Sequence, residues 1–287
     1  MRSVGRVKEI WRYPAKGMAG ETLASSGIDG HGIVGDRHWA VRETSRSEIQ
    51  SCKRRPELLL CTAHHVGDPA LRPVGKIRVR FPEGEEFGSD DPDIQRRLTQ
   101  LTGVEVTFEP LRPASDADFY RRYNASGDQW LVDLKATFAR EPGEPLPDFS
   151  QLPPEMVEFV AAPGSFQLVA PLHLVTTSTL RRLLALNGNG DWDLRRFRPN
   201  LVIETDPAFE GWLEQEWIGH RLSVADAALD CVGTTPRCGA ITRAQAGLKF
   251  DRSVLRTVVQ QADQNVGVYC TISHPGRISV GDSLMIV

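Results

Sequence analysis

The chain has 287 residues, of which 40% are hydrophobic and 25% charged, and its formal net charge is -3 at pH 7. This composition is typical of a globular protein with one large domain or two smaller ones, and it excludes a general attraction to nucleic acid or to an anionic membrane. The basic residues comprise 28 arginines and only six lysines. That bias suits bidentate binding of anions, although genome composition produces the same excess.

The apolar segments and the cysteines argue for the cytoplasm. No apolar run approaches the ~20 residues that span a bilayer, and the first residues lack the apolar core of a signal peptide. The cysteines are odd in number and show no CxxC spacing: Cys52, Cys61, Cys231, Cys238 and Cys270. We therefore expect a reducing compartment, without a disulfide framework or a zinc site.

Short β-rich segments separated by Gly, Pro and Asp make up the first third of the chain. Five of them predict strands: VGRVKEIWRYP, HWAVRE, ELLLCTAHHV, KIRVRF and VEVTFEP. One helix is predicted among them, in DPDIQRRLTQLTG. There Asp91 should cap the start, Pro92 fits the first turn and Gly103 should end the helix.

Residues from about 111 to 164 lose this regularity. The stretch from Arg140 to Glu155, REPGEPLPDFSQLPPE, contains five prolines and four acidic residues. Such a composition suits neither a sheet interior nor a packed helix, so it predicts an exposed linker or surface excursion between two halves. Protease should cut there if anywhere, unless the segment is pinned across the barrels.

Strands are predicted again after this excursion: FQLVAPLHLVT, PNLVIET, RLSVADAALDCVG, NVGVYCTIS and GRISVGDSLMIV. Two helices lie between them, TSTLRRLLALNGNG, capped by Thr176 or Ser178, and DRSVLRTVVQQAD. Many short strands with few helices favour a barrel-like, mainly β architecture over alternating βαβ units.

Several motifs are better explained without a site. GHGIVGD has the glycine spacing of a dinucleotide-binding loop, but a strand-like segment follows where that loop needs a helix, so a turn between strands is the better interpretation. His64, His65 and His173 lie on strand-like segments and are typical of packed or solvated side chains. HExxH and GxSxG do not occur, so zinc proteolysis and serine esterase chemistry lack their signatures.

Two polar stretches carry the candidate site. RRFRPN, from Arg195 to Asn200, precedes a predicted buried strand, where guanidinium groups could converge on an anion, although a solvated turn has the same pattern. In TTPRCGAIT, Cys238 follows Arg237 at a loop end, which favours an accessible thiolate with a lowered pKa. Cys231 and Cys270 lie within predicted strands and should be core residues.

Cys52 adjoins three basic residues in CKRR. In a polar loop this context is typical of the surface, and we expect Cys52 there.

Four stretches resemble, in this order, the MOSC-domain superfamily: RYPAKGMAGETLASSGIDGHGIVGDRHWAV, FRPNLVIE, PRCGAIT and PGRISVGDSLMIV. Members include the mitochondrial amidoxime-reducing components and the C-terminal domain of molybdenum cofactor sulfurases. The resemblance implies a mainly β protein with a few helices (α+β). Its expected parts are a MOSC N-terminal β-barrel domain at residues 1–115, a linker or excursion at 116–164 and a β-barrel-like MOSC domain at 165–287.

The resemblance also implies binding of the molybdenum cofactor, Mo-molybdopterin, a pterin phosphate whose dithiolene sulfurs hold the metal. Cys238 matches the cysteine that gives the metal a further thiolate in the amidoxime-reducing branch, and it is the expected catalytic and metal-binding residue. Such a soft ligand suits molybdenum. The expected cofactor-binding residues are those that match the family pattern, with the neighbour of the cysteine added: Lys16, Arg37, Thr176, Thr179, Arg198, Asn200 and Arg237.

These residue types fit the expected cofactor, because a phosphate favours arginine, lysine and a helix N-terminus, while a pterin ring favours amides and hydroxyls. The sequence also departs from the reductase branch. Gly17 stands where that branch has a serine, and the loop after Cys238 lacks its acidic residue, although Thr242 keeps its place. No lysine context supports pyridoxal phosphate.

We therefore expect a molybdenum-dependent oxidoreductase that removes oxygen from N-hydroxylated or N-oxide-type small molecules, with electrons from a separate electron-transfer protein. No nucleic-acid or membrane partner is expected. One alternative is a carrier of the cofactor, or of persulfide sulfur on Cys238, without turnover of its own. Another is a protein that keeps the fold but has lost the metal.

Overall fold

The computed structural model describes residues 2–70, 74–123, 128–150, 155–167 and 169–287. The first group of strands is β1 (Arg2–Arg12), β2 (Glu21–Leu23), β3 (Ser25–Asp29), β4 (Gly32–Ile33), β5 (Trp39–Glu43), β6 (Glu48–Ile49), β7 (Thr62–His65), β8 (Ile77–Arg80), β9 (Glu86–Gly88) and β10 (Val106–Pro110). The second group is β11 (Leu172–Thr176), β12 (Leu201–Glu204), β13 (Arg221–Val224), β14 (Ala227–Pro236), β15 (Asn265–His274), β16 (Gly276–Ser279) and β17 (Ser283–Ile286).

Helices are few, as the sequence predicts. The α-helices in the described ranges are α1 (Ile94–Thr102), α2 (Gln129–Ala136), α3 (Glu155–Glu158), α4 (Thr177–Leu186) and α5 (Arg252–Gln261). Short 3-10 helices occur at Pro56–Leu60, Ala117–Tyr120, Leu194–Arg196, Leu213–Trp217 and Gly239–Thr242. No helix in the described part of the chain is both long and apolar enough to cross a membrane.

A closed barrel of seven strands dominates the fold. The strands follow one another in the order β12, β11, β15, β14, β13, β17 and β1, and β1 pairs back onto β12. Only the β11–β12 pair in this ring is parallel. Its interior is apolar, and β1 contributes the buried side chains Val4, Val7 and Ile10. The first strand of the chain therefore completes a barrel whose other strands all follow residue 170.

The N-terminal β region packs around a second core. Two three-stranded sheets, β10-β5-β6 and β7-β8-β9, enclose it with α1. Trp39, Leu58, Val79, Leu98 and Phe108 are among its buried side chains. A third small sheet, β16-β3-β4, joins the two regions, because β16 comes from the C-terminal part of the chain. The division at residues 115 and 165 stays a prediction, since three strand pairings cross it: β1–β12, β1–β17 and β3–β16.

Two of the three predicted helices begin as expected and one does not. Thr176 accepts a hydrogen bond from the backbone N of Thr179 at the start of α4 (3.3 Å). Gly103 ends α1 in the left-handed conformation at φ 70°. The cap predicted at Asp91 is wrong: its carboxylate accepts from the backbone N of Asp93 (2.9 Å) and closes a turn, so α1 begins only after that turn.

Residues 128–150, which we call the strap, are fastened to the barrel. The backbone O of Thr137 accepts from the N of Gly239 (2.9 Å), and Arg140 donates to the carbonyl O of Arg237 (3.1 Å). Arg256 of α5 forms ion pairs with Glu141 and Glu144. Much of residues 140–150 is exposed, as predicted for a linker, yet these contacts pin the segment across the barrel. Residues 151–154 of the predicted linker lie outside the described ranges.

Candidate functional site

Two arginines from distant parts of the chain meet at Tyr13. The guanidinium carbon of Arg198 lies 4.2 Å from the centroid of the Tyr13 ring, and that of Arg37 lies 5.4 Å away. Tyr13 is buried and is held at both ends of the residue. Its hydroxyl donates a hydrogen bond to Pro199 O (2.9 Å), and its backbone N donates one to Asp36 Oδ1 (2.7 Å). Both arginines have φ near +50°, a conformation that non-glycine residues seldom adopt and that often marks functional sites.

Lys16 adds a third cation to this group. Its Nζ donates to the carbonyl O of Phe166 (2.5 Å). Burial, reinforced by the charges of Arg37, Lys53 and Arg198, lowers the pKa of Lys16 to about 7. A buried amine next to like charges is stabilised when an anion approaches. We call Lys16, Arg37 and Arg198 the cation cluster.

The cation cluster is under-compensated within the protein. Asp36 forms an ion pair with Arg37 and also accepts from Asn200 Nδ2 (3.2 Å). Among the described residues, no carboxylate forms an ion pair with Lys16 or Arg198. Because charges taken out of water are costly unless they are paired, this excess of positive charge favours an anionic ligand.

A cavity of about 250 Å³ opens beside the cluster. Polar and charged side chains line it on several sides: Lys16, Arg37, Glu48, Ser51, Lys53, Arg54, Arg122, Asp133, Thr137, Gln167 and Tyr269. Five of these are cationic and two are carboxylates. The strap forms one wall through Asp133 and Thr137, so the excursion takes part in the site instead of merely connecting two halves.

Cys238 lies half-buried on the loop that precedes the 3-10 helix Gly239–Thr242. Its neighbour Arg237 is buried, with Nε donating to Val266 O (3.0 Å) and Nη1 to Phe197 O (3.1 Å). Desolvation lowers the pKa of Arg237 to about 10, while the nearby Cys238 opposes that shift. Arg237 therefore holds the loop and interacts with Cys238 electrostatically, and its guanidinium is committed to backbone carbonyls and to His173 Nε2.

The arginines of the stretch RRFRPN have different roles: one lies in the site and another holds a neighbouring loop in place. Arg198 joins the cation cluster, whereas Arg196 is buried and donates to the carbonyls of Ile241 and Arg243 (3.2 Å each). It also pairs with Asp191 (2.6 Å). Arg196 thus anchors the loop that follows Cys238, a task that no local sequence signal reveals.

Thr176 and Thr179 bind a carboxylate of the fold and are not part of the cation cluster. Their hydroxyls donate to Glu214 Oε2, at 2.5 and 2.6 Å, and all three side chains are buried. Desolvation raises the pKa of Glu214, although these hydrogen bonds oppose the shift. A carboxyl group from the 3-10 helix Leu213–Trp217 therefore occupies the start of α4, where the resemblance implies a cofactor group. Nothing in the sequence around Glu214 indicated this.

Asn200 also has partners within the framework. Its Oδ1 accepts from the backbone N of His173 (3.2 Å), and its Nδ2 donates to Trp11 O (3.3 Å) as well as to Asp36. Of the seven expected cofactor-binding residues, the structure brings together Lys16, Arg37 and Arg198. The other four make their hydrogen bonds within the fold, and their role toward a cofactor stays a prediction.

Cys52 is the residue that sequence reasoning missed. It is half-buried and interacts electrostatically with Arg198, Cys238, Lys53 and Lys16, so the surface position expected for it is wrong. Gly17 permits this approach: it has φ 85°, and a Cβ there would lie 2.9 Å from the backbone N of Cys52. The core positions predicted for Cys231 and Cys270 are confirmed.

Two family models match the chain, the MOSC N-terminal beta barrel domain over residues 4–118 and the MOSC domain over residues 162–285. The chain belongs to the MOSC-domain superfamily. MOSC domains are associated in general with binding of the molybdenum cofactor. No curated protein matches this MOSC-domain chain.

Three solved structures are similar to this MOSC-domain protein. The YUAD protein from Bacillus subtilis is 12% identical, with 100% of this chain and 97% of that one covered and a TM-score of 0.46. YiiM from Geobacillus stearothermophilus is 13% identical, with 41% and 54% covered and a TM-score of 0.31. YiiM from Escherichia coli is 15% identical, with 41% and 54% covered and a TM-score of 0.32. The match spans about half the length of the two YiiM chains.

The donor set of this MOSC protein fits the anionic end of a molybdenum cofactor better than its ring. The cation cluster suits a phosphate group, because lysine and arginine form charge-assisted hydrogen bonds to it. Within the described ranges, no group of three or more His, Cys, Asp or Glu side chains could hold a metal ion. A metal at Cys238 would therefore depend on ligands that the cofactor itself supplies.

Proposed function

We propose that this MOSC-domain protein binds molybdenum cofactor, with the phosphate at Lys16, Arg37 and Arg198 and the thiolate of Cys238 as a protein ligand to the metal. The close approach of Lys16, Arg37 and Arg198, three half-buried cations from distant parts of the chain, carries this proposal, together with the adjoining cavity that Lys16 and Arg37 line. When bound, the cofactor would supply a redox centre able to take up an oxygen atom and pass on two electrons.

Charge compensation is the physical basis of the binding step. Lys16 and Arg198 already bear the cost of leaving water, and each donates to only a backbone carbonyl, Phe166 O and Met18 O. A phosphate would give both groups charge-assisted hydrogen bonds, which are roughly twice as strong as neutral ones. It would also favour the protonated form of Lys16, so binding should strengthen as the pH falls through about 7.

We infer that the reaction is the removal of oxygen from a small N-hydroxylated or N-oxide compound. An N-hydroxy group, two electrons and two protons give the reduced nitrogen and water. A separate electron-transfer protein would deliver the electrons. In this reaction Cys238 would serve as the protein ligand to the metal, while Lys16, Arg37 and Arg198 would hold the anionic end of the cofactor.

A carrier without turnover is the second candidate. This candidate is supported by the hydrogen bonds that Thr176, Thr179 and Asn200 already make inside the fold. Because of these bonds, few polar groups are left to bind a pterin ring. A chain that holds only the phosphate end would release the cofactor more readily than an enzyme does. Persulfide sulfur on Cys238 is the corresponding cargo if no metal binds.

Elemental analysis of freshly purified protein separates these functions. Molybdenum and pterin in a one-to-one ratio to the chain, together with reduction of an N-hydroxylated compound by a chemical electron donor, support the enzyme. Sulfane sulfur without metal supports the persulfide carrier. Cofactor that binds and transfers to an acceptor protein without turnover supports the cofactor carrier.

Reversal of one cluster charge tests the binding site itself. Arg198→Glu removes a charge-assisted bond and adds repulsion, and we expect a loss of a few kcal/mol in cofactor affinity, or about a hundredfold. Arg6→Glu, at an exposed position of β1, is the matched control and should retain molybdenum. Arg198→Gln tests the same contact with less risk to folding. Molybdenum retained in both Arg198 variants, with native circular dichroism, would refute this site.

A further inference from the structure

Two of the five cysteines stand apart from the others. Cys52 and Cys238 are half-buried, whereas Cys61, Cys231 and Cys270 are buried in apolar cores. Cys52 comes from the N-terminal β region and Cys238 from the barrel, 186 positions later. Their partial exposure distinguishes them from the three core thiols.

The fold holds the segments around these two cysteines against one another. Thr137 of the strap accepts a hydrogen bond from Gly239 N, next to Cys238 (2.9 Å). The same Thr137 lines the site cavity together with Ser51 and Lys53, the two neighbours of Cys52. Lys53, Thr137 and Gly239 also line an adjoining cavity of about 350 Å³. The flanks of both cysteines therefore share the same walls.

The electrostatics of the two thiols agrees with this geometry. Burial raises the pKa of the Cys52 thiol and Cys238 adds to that shift, while Arg198, Lys53 and Lys16 oppose it. Cations surround the pair, with Arg198, Lys53 and Lys16 acting on Cys52, and Arg237 and Arg140 acting on Cys238. Cysteines that sense oxidants are typically accessible, lie in electropositive surroundings and have a second cysteine nearby.

We propose that Cys52 and Cys238 form a reversible disulfide when no cofactor occupies the site. A hydroperoxide oxidises the Cys238 sulfur to the sulfenic acid and is itself reduced to an alcohol, or to water in the case of hydrogen peroxide. The Cys52 thiol then attacks that sulfur, a disulfide bond forms and water leaves. A dithiol reductant returns both thiols by exchange and becomes a disulfide itself.

This pairing would regulate the site. In the disulfide, Cys238 has no thiolate to give to a metal, so the oxidised chain should not take up cofactor until it is reduced. It would also protect Cys238 from irreversible oxidation to the sulfinic acid. The effect on cofactor uptake rests on the proposed function, whereas the disulfide itself does not.

Peptide mapping tests the pair directly. The reduced, cofactor-free full-length chain is treated with a small excess of hydrogen peroxide, alkylated with iodoacetamide in denaturant and digested with trypsin. We expect peptide 47–53, SEIQSCK, to be linked to peptide 238–243, CGAITR. Free thiols should fall from five to three and return to five after dithiothreitol.

The chain contains its own control. The sulfurs of Cys231 and Cys270 lie 3.5 Å apart but are sealed in the barrel core, so they should remain alkylatable thiols under native oxidation. In Cys52→Ser the linked peptide should vanish and Cys238 should proceed to the sulfinic acid. A Cys231–Cys270 link in place of the expected one would overturn the proposal. Wild-type protein with sulfinic acid at Cys238 and a free Cys52 would overturn it too.

The two proposals fail in different ways. Molybdenum content of the reduced protein tests cofactor binding, and the peptide map tests the thiol pair. A mapped disulfide in a chain that never binds molybdenum would leave the pair standing and refute the cofactor. If reduced and oxidised chains take up cofactor equally, the regulatory role is refuted although the disulfide forms.

Discussion

Replacing Lys16 by methionine should stabilise the cofactor-free protein at low pH and weaken anion binding. Methionine keeps a long side chain but removes the charge that burial penalises. The pKa of Lys16 falls from the ordinary 10.5 to about 7 in the folded protein. At about 1.4 kcal/mol per pH unit, this corresponds to a folding cost on the order of 5 kcal/mol when the amine is charged in both states. The real gain should be smaller, because Lys16 keeps some contact with solvent.

The sign of the pH dependence follows from proton binding. Unfolded Lys16 carries a proton up to about pH 10.5, and folded Lys16 only up to about pH 7. Between these values the unfolded state binds more protons, so the stability of the wild type rises with pH relative to the variant. The advantage of Lys16→Met should be largest at pH 6, fall to roughly 3 kcal/mol or less at pH 8, and nearly disappear by pH 10.

Urea denaturation of both cofactor-free proteins at pH 6, 8 and 10 measures this difference. Lys8→Met, at an exposed position of β1, controls for the loss of a lysine as such. Pyrophosphate binding, followed by calorimetry at pH 6, should weaken in Lys16→Met and not in Lys8→Met. An advantage of Lys16→Met that is equal at all three pH values would refute the reasoning. So would destabilisation at pH 6.

The remaining predictions concern the thiol, the tyrosine and the strap. Cys238→Ser should abolish activity with little change in the melting temperature of the cofactor-free protein, and full activity of this variant would contradict the prediction. Cys231→Ser buries an unpaired hydroxyl and should lower the free energy of unfolding, measured by thermal unfolding, by roughly 1–3 kcal/mol. Tyr13→Leu removes the ring that positions Arg37 and Arg198, and it should lower molybdenum content about tenfold, whereas Tyr13→Phe loses only the hydrogen bond to Pro199 O, worth about 1 kcal/mol in urea denaturation. Equal molybdenum content in the two variants would count against the role of the ring. Arg256→Ala releases Glu144 and leaves Glu141 paired with Arg252, so endoproteinase Glu-C should cut the strap faster than in the wild type. An equal cleavage rate, read from fragment masses, would show that the ion pairs of Arg256 do not fasten the strap.

Much of the site could be found from the sequence because it rests on local motifs. Lys16, Arg37, Arg198 and Cys238 lie in three of the four stretches whose order resembles one family, and the first three residues do converge. The helix starts at Thr176 and Asp251 were predictable as well, since a cap depends on residues within one turn. The cap at Asp91 failed because a competing turn uses the same carboxylate.

By itself, the sequence determined the β-rich class, two of the helix starts and the identity of the cation cluster, because periodicity, capping and motif order are local properties. Only the tertiary structure decided how distant groups pair. Segments far apart in the chain are joined by the closure of β1 onto β12, by the contact of Glu214 with Thr176 and by the fastening of the strap. The cavity walls shared by the flanks of Cys52 and Cys238 are a further example. Such partners are selected by the geometry of the closed barrel and by the need to satisfy every buried polar group, and neither condition can be read from neighbouring residues.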